Sequence, residues 1–166
     1  MPAEHLDKVH YEPLIALYRG VGVVSTLVRW QTRSIYSHAG IRLRGGSIIE
    51  SWHRGGVKRN ETLGTVHMPG TVVDLFRVAA PVDWTKALLF AGGQIGKGYD
   101  WRGCARFVTR REPDCNPQRW FCSSLVFAAL EHGGVQLLAR ICPAAVAPAH
   151  LSLSRLLEQV GQEVTA

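Results

Sequence analysis

An α+β fold, with an antiparallel β-sheet packed against a buried central helix, is what this sequence predicts, and three observations carry the prediction. The run "YSHAGIRLRGGSIIESW" holds two β-rich stretches on either side of Gly45-Gly46, a strong hairpin signal. "TVVDLFRV" is a further strand, stopped by Pro81. "FCSSLVFAALEHGG" is apolar nearly all round and is closed by Gly133-Gly134, as expected of a helix buried on every side.

The remaining elements follow in chain order. "EPLIALYRG" reads as a short strand ending in a turn at Arg19-Gly20. In "GVVSTLVRWQTRS", Val24, Leu27, Val28 and Gln31 fall near helical spacing. Asp83 is a good N-cap for a helix whose Trp84, Leu88, Ala91 and Ile95 make one apolar stripe, with Gly96 and Gly98 bracketing its end and Lys97 suited to the helix dipole. The loop "RREPDCNPQRW" leads into the buried helix, and "CPAAVAPAHLSLS" precedes a terminal helix predicted over "SRLLEQV". No repeat or linker divides the chain, so residues 1–166 are expected to form a single domain.

Composition excludes several classes. Hydrophobic residues make up 46% and charged residues 19% of 166 positions, within the globular range. No apolar run approaches the roughly 20 residues that cross a bilayer, and "MPAEHLDKVHYEP" lacks the apolar core of a secretory signal. Cytoplasmic synthesis is therefore expected, and action on a cell wall would need a signal-independent export route. Four cysteines, Cys104, Cys115, Cys122 and Cys142, are expected as thiols, with a Cys104–Cys115 disulfide as the alternative in an oxidising compartment. No C-x-x-C or H-x-x-x-H spacing occurs, so no metal and no other cofactor is expected. The net charge of +6 suits an anionic cell-wall or membrane surface, while no recognised nucleic-acid motif is present.

One constellation carries chemistry. Cys122 falls in the first turn of the buried helix, where the positive end of the dipole favours a thiolate. His38 on the first hairpin strand is its candidate base, and Glu50 on the second is the candidate orienting group. If Arg44-Gly45-Gly46 is a three-residue loop, position 40 pairs with 50 and Glu50 lies diagonally across from His38 on one face. A two-residue turn would put Glu50 on the opposite face. Under the first register Cys122 attacks a carbonyl, His38 shuttles the proton, Glu50 holds the ring, and the Cys122 backbone N–H serves the oxyanion.

These residues, "YSHAGI", Glu50, "IGKGYDWRG" and "FCSSLV", resemble in that order the circularly permuted branch of the NlpC-type cysteine peptidase superfamily, in particular the YiiX-like proteins. The resemblance spans roughly residues 14 to 158 and implies a permuted papain-like fold, with Cys122 as nucleophile, His38 as base and Glu50 as third member. It implies as substrates either peptide amides of bacterial cell wall or acyl bonds of lipids. Lecithin:retinol acyltransferase-like proteins share the permuted group, but their N-C-E-H-F cysteine motif is absent here. Ser124 stands where YiiX-like sequences often carry an acid. A binding module that kept the fold and lost the reaction is the rival from another class.

Around this core, Tyr36 and Tyr99 are candidates to assist the oxyanion, and Trp52 and Trp120 to line a substrate groove. His53 is the alternative orienting group if the register slips, and Asp74 is an acid within an apolar strand. Arg102, Arg106, Arg110 and Arg111 form a basic run. His5, His10, His67, His132 and His150 have no evident partners in the sequence.

Overall fold

The computed structural model describes residues 12–103 and 118–166. It is an α+β molecule built on a six-stranded antiparallel sheet ordered β4-β3-β2-β1-β5-β8. Its strands are β1 (Leu14–Arg19), β2 (His38–Arg42), β3 (Ile48–Trp52), β4 (Gly56–Asn60), β5 (Val72–Val78) and β8 (Leu157–Val164). A short parallel pair, β6 (Gly98–Tyr99) and β7 (Arg119–Trp120), stands beside it. The helices are α1 (Val23–Thr32), α2 (Trp84–Gly93), α3 (Cys122–His132) and α4 (Pro148–Ser152).

The sheet is buried on both faces, and its alternation decides what each face meets. Ile15, Leu17, Ala39, Ile41, Ile49 and Val57 point to one side and pack on Leu125, Val126, Phe127, Ala129 and Leu130 of α3. α3 is therefore the central helix that the all-round apolar pattern predicts. On the other side Leu14, Ala16, Tyr18, Ile48, Val73 and Leu75 are covered by Leu63, from the long connection between β4 and β5.

The β2–β3 turn has the longer form. Leu43 N–H donates to the Ser47 carbonyl at 2.7 Å, Gly45 and Gly46 have φ of 84° and 91°, and Gly40 pairs with Glu50. Both glycines sit in left-handed backbone that other residues adopt with strain. Asp83 caps α2 as its sequence suggests, accepting from Lys86 N–H at 3.1 Å, although the helix ends before Ile95, which is half exposed.

Two sequence expectations are corrected, and one strand is added that the sequence does not announce. The terminal helix over "SRLLEQV" is instead the edge strand β8, because pairing along the whole length of β5 outweighs a weak local helical preference. β4, in the polar run "GVKRN", has no sequence signal of its own and forms by pairing with β3. Cys142 is disulfide-bonded rather than a thiol, since partners in space are not legible from spacing. Cys104, Cys115, Arg106, Arg110, Arg111, His5 and His10 lie outside the described residues.

A buried acid locks β8 in place. Asp74 of β5, wholly buried on the α3 side, accepts from Arg19 Nε at 2.8 Å, Tyr36 Oη at 2.8 Å, and the amides of Gln159 and Gln162 at 3.0 and 2.7 Å. Residues three apart on a regular strand face opposite sides, but a bulge between the Phe76–Gln159 and Leu75–Gly161 pairs turns both amides to the same carboxylate. Replacing Asp74 with alanine should therefore cost about 2–3 kcal/mol, below the range for a fully buried pair because Arg19 keeps 35% of its side chain in solvent. Chemical denaturation measures this, and faster amide exchange in β8 should accompany it.

Candidate active site

The site begins with Glu50, whose side chain is wholly buried on the face away from α3. Gly40, directly opposite, makes room for it: a Cβ there would lie 3.2 Å from Glu50 Cβ and 2.5 Å from Ile48 Cδ1. The carboxylate leans diagonally to His38, and its Oε2 lies 2.5 Å from His38 Nε2. The same oxygen is 3.1 Å from His67 Nε2, and Oε1 accepts from Asn60 Nδ2 at 2.6 Å.

His67 comes from the connection that covers this face. That segment is pinned by the Tyr18 hydroxyl, which donates to the Leu63 carbonyl at 3.3 Å, and by ring stacking of His67 on Tyr18 at 3.9 Å. Trp52 closes the cluster with edge contacts to His38 and His67.

The protonation pattern follows from these contacts. Burial opposes a charge on Glu50, but hydrogen bonds from His38 and His67 outweigh it and hold the carboxyl far below its usual range. Burial also lowers His38, with Glu50 only partly offsetting it. The consistent state is an ionised carboxylate accepting from two Nε2–H groups, which leaves His38 Nδ1 as the lone-pair nitrogen.

His38 and Glu50 thus meet in the register that their roles require. Cys122, 4% exposed, is the first residue of α3, and its helix docks on the other face of the sheet. The hydrogen bond of His38 to Glu50 and its ring contacts with Tyr18, Trp52 and His67 lie on the face away from α3. Two contacts fix the residues just before α3. Ser51, next to Glu50 on β3, donates to the Trp120 carbonyl at 2.6 Å, and the β6–β7 pairing sets Trp120 beside Tyr99. Ser124 caps the helix, accepting from Phe121 N–H at 3.1 Å. An acid at this third helical position would make the same bond, so the replacement keeps the capping function.

A cleft of about 220 Å³ opens onto His38 and is lined by Trp52, His53, His67, Tyr99 and the first turns of α1. Trp52 and Tyr99 accordingly form part of the cleft lining, and His53 sits at its wall rather than behind His38. Tyr36 and Trp120 are engaged elsewhere. The Tyr36 hydroxyl is bonded to Asp74 and pushed up to about 12 by burial and that carboxylate, while Trp120 Nε1–H donates to Gln94 and its ring packs on Phe90. His150 accepts from Ala147 N–H at the start of α4, and His132 bonds the Ala128 carbonyl.

His67 escaped sequence reasoning because its partner is 17 positions away across a loop without motif spacing. It completes a group, His38, Glu50 and His67, whose ligating atoms lie within 4.8 Å of one another.

Both shifts have one sign. The folded values of Glu50 and His38 are lower than the unfolded ones, so the unfolded chain binds more protons and stability falls on acidification. The thermal midpoint should drop first as pH passes below 6.5, where unfolded histidine protonates, and again below 4.5, where unfolded glutamate does. Melting curves across that window, with His38→Gln flattening the first step, check this.

No protein-family model matches the chain, and no curated protein does. Among solved structures, the crystal structure of metalloprotein YiiX from Escherichia coli O157:H7 superposes with a TM-score of 0.69 over 92% of this chain and 97% of that one, at 18% sequence identity. The fold is YiiX-like.

Proposed function

We propose that the chain is a thiol hydrolase of permuted papain-like fold, cleaving an amide of cell-wall peptide or an ester or acyl bond through a thioester. The observation that carries this reading is the buried His38–Glu50 hydrogen bond, which leaves Nδ1 as the lone-pair nitrogen of a histidine that lines the cleft. The sequence resemblance and the YiiX-like fold support it. In this mechanism Nδ1 takes the Cys122 proton and the sulfur adds to the carbonyl carbon, with Glu50 stabilising the imidazolium. The Cys122 backbone N–H steadies the oxyanion. The C–N or C–O bond then breaks as His38 protonates the leaving group, and water, deprotonated by His38, releases the acid and restores the thiol. The reaction requires the sulfur to reach Nδ1 around the start of β2, from the side on which α3 is docked.

Alkylation tests it. Cys122 should react with iodoacetamide at about pH 6 at least tenfold faster than an ordinary thiol with a pKa near 8.5. His38→Ala should erase that advantage, and intact mass after incubation with cell-wall peptides or phospholipids should show an acyl adduct absent from Cys122→Ala. Equal alkylation rates in wild type and His38→Ala would sink the reading.

A second reading is favoured by the convergence of His38, Glu50 and His67, and the neighbour's description as a metalloprotein points the same way. Two imidazoles and a carboxylate suit a zinc-type divalent ion, and Asn60 on Oε1 would orient the carboxylate. Such an ion would polarise a bound carbonyl or water, and it would engage the nitrogen through which Glu50 holds His38. Titration calorimetry with zinc should then give one micromolar or tighter site, lost in His67→Ala. No heat of binding by the wild-type protein removes this reading and leaves the thiol reading intact.

A further inference from the structure

α1 has an apolar face with no counterpart in the fold. None of its residues is buried, and Val23, Leu27 and Trp30, at i, i+4 and i+7, are 88%, 57% and 77% exposed. Val21, Val24, Ile35 and Met68 extend the same area, so seven of the thirteen exposed large hydrophobics among the described residues gather around this one helix. A patch of that kind on an otherwise well-buried molecule marks an interaction surface.

Charge selects its occupant. No aspartate or glutamate occurs between residues 13 and 49. Arg33 stands exposed at the end of α1, Arg29 lies in its last turn, and Arg54 is exposed on the β3–β4 turn beside His53 of the cleft wall. Apolar face, tryptophan and flanking arginines without acids are the features that hold a helix in the plane of an anionic bilayer surface.

The position of the cleft adds a second observation. Val24 and Val28 of α1 line it together with Val66 and Met68, and it ends at His38. The apolar wall of the site is therefore continuous with the exposed helix face.

We propose that α1 is a membrane-interface helix that seats the mouth of the cleft on an anionic lipid surface. Its corollary, that the substrate is an acyl lipid whose chain enters along Val24, Val28 and Met68, rests on the hydrolase reading. The docking itself does not.

The test separates the two by measuring binding in Cys122→Ala, which needs no turnover. This protein should co-sediment with phosphatidylglycerol vesicles and much less with phosphatidylcholine vesicles, and added salt should weaken the binding. Leu27→Glu and Trp30→Glu, which lie outside the cleft lining, should each lower partitioning roughly tenfold or more. In the otherwise wild-type chain they should leave hydrolysis of a soluble short-chain ester unchanged. Circular dichroism confirms that the variants fold, and Trp30→Phe identifies the indole fluorescence that shifts on binding. Binding that is absent, or insensitive to Leu27→Glu, overturns the proposal. So does a wild-type dimer by sedimentation velocity that Leu27→Glu converts to monomer while vesicles bind neither form. Vesicle binding without ester or lipid hydrolysis leaves the docking standing and removes only the corollary.

Discussion

A fully buried carboxylate on the far face of the sheet sets the terms for the rest of this molecule. Glu50 is cut off from bulk solvent, and its charge is sustained by His38, His67 and Asn60, which all donate to it. Those donors come from β2, from β4 and from the connection after β4, so one side chain ties together half the sheet and the segment that covers it. Gly40 is empty for the same reason: the carboxylate needs the volume in front of it.

The opposite face is organised around a second buried acid. Asp74 gathers Arg19, Tyr36, Gln159 and Gln162, and so joins β1, β5 and β8 as Glu50 joins β2, β3 and β4. The chemical environments differ. Asp74 faces a guanidinium, a phenol and two amides, which hold a charge but move no proton near neutrality. Glu50 faces two imidazoles, the side chains best suited to proton transfer and to metal binding at that pH. Function is accordingly sought at Glu50 and architecture at Asp74, although both are acids within apolar strands. α3 packs its apolar flank on the Asp74 face, while Trp120, just before its first turn, accepts from Ser51, the neighbour of Glu50 on β3.

How far the sequence reaches can be judged from particular residues. The His38–Glu50 pairing is legible because a glycine-defined turn sets register and register sets faces. The buried character of α3 is legible because an all-round apolar helix has nowhere else to go. β8 is not legible, since "SRLLEQV" carries no alternation strong enough to oppose a helical reading, and its conformation comes from the open edge of β5 and a bulge that serves Asp74. The partner of Tyr36 is not legible for a related reason, because proximity to His38 along the chain says nothing about which carboxylate its hydroxyl finds.

Local grammar alone therefore determined the hairpin, the Asp83 cap, the central helix and the alignment of His38 with Glu50, each being an interaction among near neighbours in the chain. Tertiary structure alone decided that His67 shares the Glu50 oxygen, that Trp52 and Tyr99 line the cleft while Tyr36 and Trp120 do not, that Cys142 is in a disulfide, and that α1 keeps its apolar face outside. These outcomes depend on which surfaces are left over after the core has closed, and segments far apart in the chain settle that jointly.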